Sequence, residues 1–136
     1  MEPILHLSLP VADLDATRAF YVDVLGCPLA RERDRFIDVW FYGMQLTLQE
    51  RPEQLLGDDR QGVRHFGVTL AREELAALIE RLRHEPVTWV HDVATDTTGA
   101  LDGKTNVKIA DPSGNVIELK TYPDDAPVTR GAMRSG

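Results

Sequence analysis

Hydrophobic and polar positions alternate in short stretches that recur along the chain. In Ile4-Leu5-His6-Leu7-Ser8-Leu9 the leucines share one face and His6 and Ser8 the other, the period of a half-buried strand. Pro10 and Val11 close that strand. Asp13 stands where an N-cap is needed, and apolar residues at helical spacing predict a helix over 14–25, ended by Gly26 and Pro28. Strands are predicted over 29–33, 35–42 and 44–50, with Met44, Leu46 and Leu48 opposite Gln45, Thr47 and Gln49. Residues 51–62 are polar, contain Pro52, Gly57 and Asp58-Asp59, and read as a linker.

The opening pattern then returns. Phe66, Val68 and Leu70 alternate with His65, Gly67 and Thr69, and a helix follows over 73–83. A strand is predicted over 87–90, a polar loop over 91–103 and a strand over 105–110. Asp111-Pro112-Ser113-Gly114-Asn115 is a tight turn. The last strand, Val116 to Lys120, sets Ile117 and Leu119 against Val116, Glu118 and Lys120. His6 aligns with His65 without gaps for roughly twenty residues, a diverged internal repeat. The chain of 136 residues therefore reads as one domain made of βαβββ modules 3–50 and 63–122, with linker 51–62 and tail 123–136. The predicted fold class is α+β: a curved, incomplete eight-stranded barrel with helices outside and a concave cleft. The tail is expected to be poorly ordered or to cover a partner.

Composition narrows the function classes. The net charge of −7 argues against a nucleic-acid surface. No apolar run is long enough to span a membrane, and no signal peptide precedes the first strand. The lone Cys27, flanked by Pro28, reads as structural and fits a reducing, cytoplasmic setting.

With the leucines facing the helices, the opposite faces carry His6, Ser8, Gln45, Thr47, His65, Thr69, Glu118 and Lys120. The imidazoles of His6 and His65 with the Glu118 carboxylate form a candidate metal set, which leaves about three octahedral positions open. Gln45 is an additional ligand or an outer hydrogen-bonding partner. Ser8, Thr47, Thr69, Lys108 and Lys120 are candidate substrate contacts, the lysines for an anionic group. His84 reads as a surface charge beyond a helix, and Arg31, Arg33 and Arg35 as a charged edge.

Four segments carry a family resemblance: residues 6–14 from His6 to Leu14, Ala19-Phe20-Tyr21 with Val24-Leu25-Gly26, His65-Phe66-Gly67-Val68, and residues 111–119. On them the chain resembles the vicinal oxygen chelate superfamily of glyoxalases, extradiol dioxygenases, and fosfomycin- and bleomycin-resistance proteins. The resemblance implies that His6, His65 and Glu118 match ligand positions, with Gln45 where glyoxalase I-like members have a ligating Glu. It implies a divalent metal (Fe, Mn, Ni, Co or Zn) and a small substrate chelated through adjacent oxygens, acted on by a dioxygenase, lyase or isomerase. The alternative is a non-catalytic protein that sequesters a drug or metabolite, as bleomycin-resistance proteins do. A homodimer is expected, because incomplete sheets leave edges to cover, with Trp40-Phe41-Tyr42 as a candidate contact.

Overall fold

Period-two alternation becomes two four-stranded sheets in the computed structural model, which describes residues 1–95, 103–123, 126, 128 and 129. The chain divides into two units: Met1–Arg64 with Ala110–Asn115, and His65–Ile109 with the chain from Val116 onward. Each contains one βαβββ module, so the fold class is α+β as the alternation predicts.

In the first unit β1 (His6–Val11) pairs in parallel with β4 (Met44–Glu50). Strand β4 pairs antiparallel with β3 (Phe36–Phe41), and β3 with β2 (Leu29–Glu32). The register sets Leu7 beside Leu46 and Leu9 beside Leu48, with Val39 and Ile37 on their other side. Leu46, Leu48 and Val39 are fully buried. Helix α1 (Leu14–Arg18) packs over β3 and β4. Burying each such side chain is worth about 1.5–3 kcal/mol. Asp13 caps α1 as expected: its carboxylate accepts from the Ala16 N–H at 2.8 Å.

The helix predicted over 14–25 does not keep one pitch. From Ala19 to Val24 it widens into a π-helix, and the Leu25 N–H donates to the Phe20 carbonyl five residues back at 2.9 Å. Adjacent residues of an ordinary helix diverge around the axis. The wider turn lets Phe20 and Tyr21 both face inward, buried edge-to-face with ring centroids 5.0 Å apart.

The turn at 110–115 is part of this first unit, and one carboxylate organises it. Asp111 Oδ1 accepts from the backbone N–H of Ser113 at 2.8 Å and of Asn115 at 2.9 Å. Its Oδ2 accepts from the Tyr21 hydroxyl at 2.8 Å and the Asn115 amide at 2.9 Å. That amide also donates to the Pro10 carbonyl, and the Ala12 N–H donates to Ser113 Oγ. Asp111 is buried, and so is Tyr21, whose hydroxyl pKa is pushed well up by burial and then by the charge of Asp111. Gly114 closes the turn at φ +89°, a left-handed value that side chains other than glycine rarely accept.

In the second unit β5 (Phe66–Thr69) pairs in parallel with β8 (Val116–Thr121), and the sheet continues through β7 (Thr105–Ala110) to β6 (Thr88–Thr95). Helix α3 (Arg72–Leu82) lies on β8 and buries Leu75, Leu78 and Leu82. Val107, Ile109, Ile117 and Leu119 complete that core. Between the modules, Pro52–Gln54 forms a 3-10 turn and α2 (Asp58–Gln61) a single helical turn.

Two expectations change here. The loop predicted over 91–103 begins later, because β6 runs on to Thr95. Its polar sequence is that of an exposed edge strand, with Asp92 tied to Arg83 at 2.8 Å. Residues 96–102 and most of the predicted tail lie outside the described residues. Phe41 packs under its sheet at 2% exposure, while Trp40 and Tyr42 are exposed. Cys27 is buried, and His84 is exposed beside Glu80 as a surface charge. Among the described residues no helix is long and apolar enough to cross a membrane.

Removing the Asp111 carboxylate strands the Tyr21 hydroxyl and two turn N–H groups. Asp111→Ala is expected to cost about 3–4 kcal/mol, and Tyr21→Phe, which removes one bond to a charged group, about 1.5 kcal/mol. Urea denaturation of both variants checks that ranking.

Candidate functional site

Each sheet turns its apolar face toward a helix and leaves a polar face. In the first unit the register lines up His6, Gln45 and Trp40 across β1, β4 and β3, and then Ser8, Thr47 and Asp38 in the next row. His6 is exposed, and its Nδ1 lies 3.2 Å from the Gln45 carbonyl oxygen. An Nδ1–H donating to that carbonyl leaves the Nε2 lone pair for a ligand, the arrangement found around metal-bound histidines. Ser8 Oγ accepts from the Gln49 amide at 2.6 Å.

Asp38 was not apparent from the sequence pattern. It is a buried carboxylate, 2% exposed, in the middle of β3. Thr47 donates to its Oδ1 at 2.6 Å, and the Arg31 Nε and Nη2 both reach its Oδ2 at 2.7 Å. The Gln45 amide donates more weakly at 3.5 Å. Burial raises the Asp38 pKa, but the hydrogen bonds from Thr47 and Arg31 and the guanidinium charge outweigh it and hold the carboxyl below its ordinary value. Arg31, read from sequence as part of a charged edge, is thus a structural partner; it also stacks over Phe36 at 4.9 Å from the ring centroid. The usable signal was an Asp within Phe36-Ile37-Asp38-Val39-Trp40-Phe41, since aspartate is depleted in strands and needs partners when buried.

In the second unit the register sets Gly67 beside Glu118 and Thr69 beside Lys120. His65, Thr69, Glu118 and Lys120 line one cavity of about 180 Å³ with Phe66, Gly67 and Val68. Glu118 is 5% exposed. Its Oε1 lies 3.2 Å from the Lys120 ammonium. Its Oε2 accepts from the Asn106 amide at 3.2 Å and lies 3.9 Å from the Lys104 ammonium. Burial raises the Glu118 pKa; the hydrogen bond and charge of Lys120, then the charges of Lys104 and His65, outweigh it, so the carboxyl titrates below its ordinary range. Burial lowers the Lys120 pKa, but Glu118 outweighs that and the ammonium is held above its usual value. Lys108, half-buried, alternates with the core residues Val107 and Ile109. Asn106 and Lys104 were missed from sequence; Asn106 shares that alternation and was detectable from it.

Close approach explains Gly67. A Cβ there would fall on the Glu118 backbone carbonyl, so any side chain would push β5 away from β8. Comparing the two registers also refines the repeat. Ser8 pairs with Thr47 as Gly67 pairs with Glu118, and Gly43 and Gly114 are the left-handed turn glycines four residues before Thr47 and Glu118. Thr47, rather than Gln45, therefore occupies the repeat position of Glu118. Its hydroxyl is already engaged by Asp38.

The structure brings His65 and Glu118 together in the second unit, and sets His6 and Gln45 side by side in the first. Among the described residues no three His, Cys, Asp or Glu side chains are grouped to hold a metal ion. The second unit offers one imidazole and one ionised carboxylate. That pair suits a divalent ion whose other positions are filled by water or substrate.

A sequence profile of the glyoxalase/bleomycin resistance protein/dioxygenase superfamily matches residues 3–119. Among solved structures, a glyoxalase/bleomycin resistance protein/dioxygenase from Alicyclobacillus acidocaldarius is 31% identical, with a TM-score of 0.82 over 90% of this chain and 93% of that one. Two more distant structures share the fold. A lactoylglutathione lyase from Agrobacterium tumefaciens is 21% identical, with a TM-score of 0.67 over 89% and 94% of the two chains. The fosfomycin resistance protein FosX from Listeria monocytogenes is 17% identical, with a TM-score of 0.73 over 90% and 95%. No curated protein matches the sequence.

Asp38 provides a pH test. Its folded pKa is depressed, so its ionised form stabilises the fold above the unfolded pKa of about 3.9, and that contribution disappears as pH falls through the folded value. Asp38→Asn is expected to cost about 1–2 kcal/mol at pH 7, because the amide keeps one acceptor for Thr47 but loses the charge and turns an NH2 toward Arg31, which is left to turn to water. The gap between variant and wild type should shrink below about pH 4. Urea titrations at neutral and acid pH measure both quantities.

Proposed function

We propose that this chain, which belongs to the glyoxalase/bleomycin resistance protein/dioxygenase superfamily, is a divalent-metal-dependent enzyme of the glyoxalase or dioxygenase type acting on a small substrate. The donors we assign in the second module are His65 and Glu118. The first module offers a donor of the same kind in His6, whose Nδ1 is committed to the Gln45 carbonyl. The observation that carries this reading is the buried Glu118 carboxylate, kept ionised inside a small cavity beside an imidazole. When bound, a divalent ion would supply Lewis-acid polarisation of two adjacent substrate oxygens. The chain's own part is to keep Glu118 charged, to hold His65 beside it, and to present Thr69 and Lys120 to the same cavity. Within the first unit Gln45 is the outer partner of His6, and within the second Lys108 is a further polar contact for substrate.

One observation favours a second reading. Lys120 and Lys104 already balance the charge of Glu118, so the cavity is complete electrostatically without an ion. A binding protein that sequesters a small molecule would need no more than that.

We also propose that the chain forms a homodimer. Trp40 and Tyr42 are exposed aromatic groups near one strand end, where interfaces concentrate such residues. Light scattering should give twice the chain mass; a dilution-independent monomer overturns the dimer.

The functional test is Glu118→Gln. It removes the charge and nearly keeps the shape. Metal affinity measured by calorimetry should fall by at least about 10–100-fold. Equal affinity in variant and wild type removes Glu118 from the site. Ligand-induced thermal shifts that survive a chelator unchanged would favour sequestration.

A further inference from the structure

The lysines beside Glu118 carry a consequence of their own. Lys120 Nζ is 3.2 Å from Oε1 and Lys104 Nζ 3.9 Å from Oε2, while the Asn106 amide occupies Oε2 at 3.2 Å. A divalent cation reaching this carboxylate meets two ammonium groups at contact range, and like charges that close in a poorly solvated place repel strongly. Asn106 is neutral and can stay. Lys120 cannot keep its place without cost. Its rotatable stem ends in a compact charge, and in the same position its ammonium also lies 5.5 Å from the centre of the Tyr122 ring, a contact that can hold it as it leaves the carboxylate.

We infer that Lys120, assisted by Lys104, is an exchangeable counter-ion: it neutralises Glu118 when no metal is present, and is released by metal binding to receive an anionic group of the substrate. The inference rests on the metal-dependent reading and names its substrate class, a small molecule carrying a carboxylate, phosphate or phosphonate. The cavity it enters is about 180 Å³, room for roughly six waters at their liquid volume, so it accommodates one compact charged group. The polar groups around it suit an anion. The Lys120 ammonium and the Thr69 hydroxyl line the cavity, and Lys104 reaches the same carboxylate.

Competition for one carboxylate has a thermodynamic signature. Metal breaks the Lys120–Glu118 pair, and so does an anion that draws Lys120 away. Each ligand therefore prepares the protein for the other, and by linkage the two effects must be equal. Lys120 is a positioning and binding residue here, not a proton donor.

The test is calorimetric, on the full chain, with manganese(II) and methylphosphonate as probes. In Lys120→Met the competing cation is gone, and manganese should bind about five- to tenfold more tightly. Lys104→Met should move affinity the same way but less, matching its longer distance. In wild type, manganese should tighten methylphosphonate binding by a similar factor, and that coupling should vanish in Lys120→Met. Unchanged or weaker manganese binding in Lys120→Met overturns the inference. So does coupling that persists in the variant, because the anion would then sit on the metal itself. If manganese binds wild type but not Glu118→Gln, and Lys120→Met shows no gain, the exchange fails while the metal reading stands. If wild type and Glu118→Gln bind manganese alike, both fail.

Discussion

The Asp111 carboxylate is the interaction on which the last strand depends. Its four hydrogen bonds, from two turn N–H groups, the Asn115 amide and the Tyr21 hydroxyl, fix the turn at 110–115 inside the first unit. Strand β8 begins at the next residue and occupies the middle of the second sheet, between β5 and β7. Glu118 lies three residues into that strand. The pairing of β8 with β5 sets Glu118 beside Gly67, and a one-residue slip would send Glu118 into the core and Leu119 to the polar face. The same turn explains why the first unit's packing includes residues far along the chain, and why Tyr21 must face inward through the widened helix.

The two modules solve one electrostatic problem in two ways. Each buries a carboxylate on its polar face. Asp38 is held by a guanidinium and a threonine hydroxyl, and the guanidinium is itself fixed over Phe36. That pair is geometrically locked, as a planar arginine fork favours. Glu118 is held by two ammonium groups and the Asn106 amide, and each ammonium is a point charge on a rotatable stem rather than a planar fork. A locked pair contributes a defined shape. An exchangeable pair leaves a carboxylate that another cation can claim. At the repeat position of Glu118 the first module has Thr47, which serves Asp38, so the two faces are not chemically equivalent despite their shared topology.

Most of the fold was legible because alternation at period two is a direct consequence of half-buried strands: the leucines of β1 and β4 and the aliphatics of β7 and β8 point where that rule sends them. The polar face was legible for the same reason. What escaped the pattern depends on side-chain partners that the alternation along one strand does not pair. Asp38 looks like an isolated charge until Arg31 and Thr47 are brought beside it. The π-helix depends on two adjacent rings seeking the same core, which a 3.6-residue period cannot express. β6 continues past Val90 through residues whose exposure suits an edge strand and whose composition resembles a loop. The internal repeat at the level of single residues also escaped the pattern: strand register sets Thr47 at the position equivalent to Glu118.

The central claim is that His65 and Glu118 hold a divalent ion. X-ray absorption of the cobalt(II)-loaded chain tests it directly. The account predicts a first shell of oxygen and nitrogen, with the outer-shell scattering of an imidazole that weakens in His65→Ala and a shell that loses an oxygen scatterer in Glu118→Ala. A spectrum of oxygen ligands alone, identical in the wild type and both variants, would contradict it.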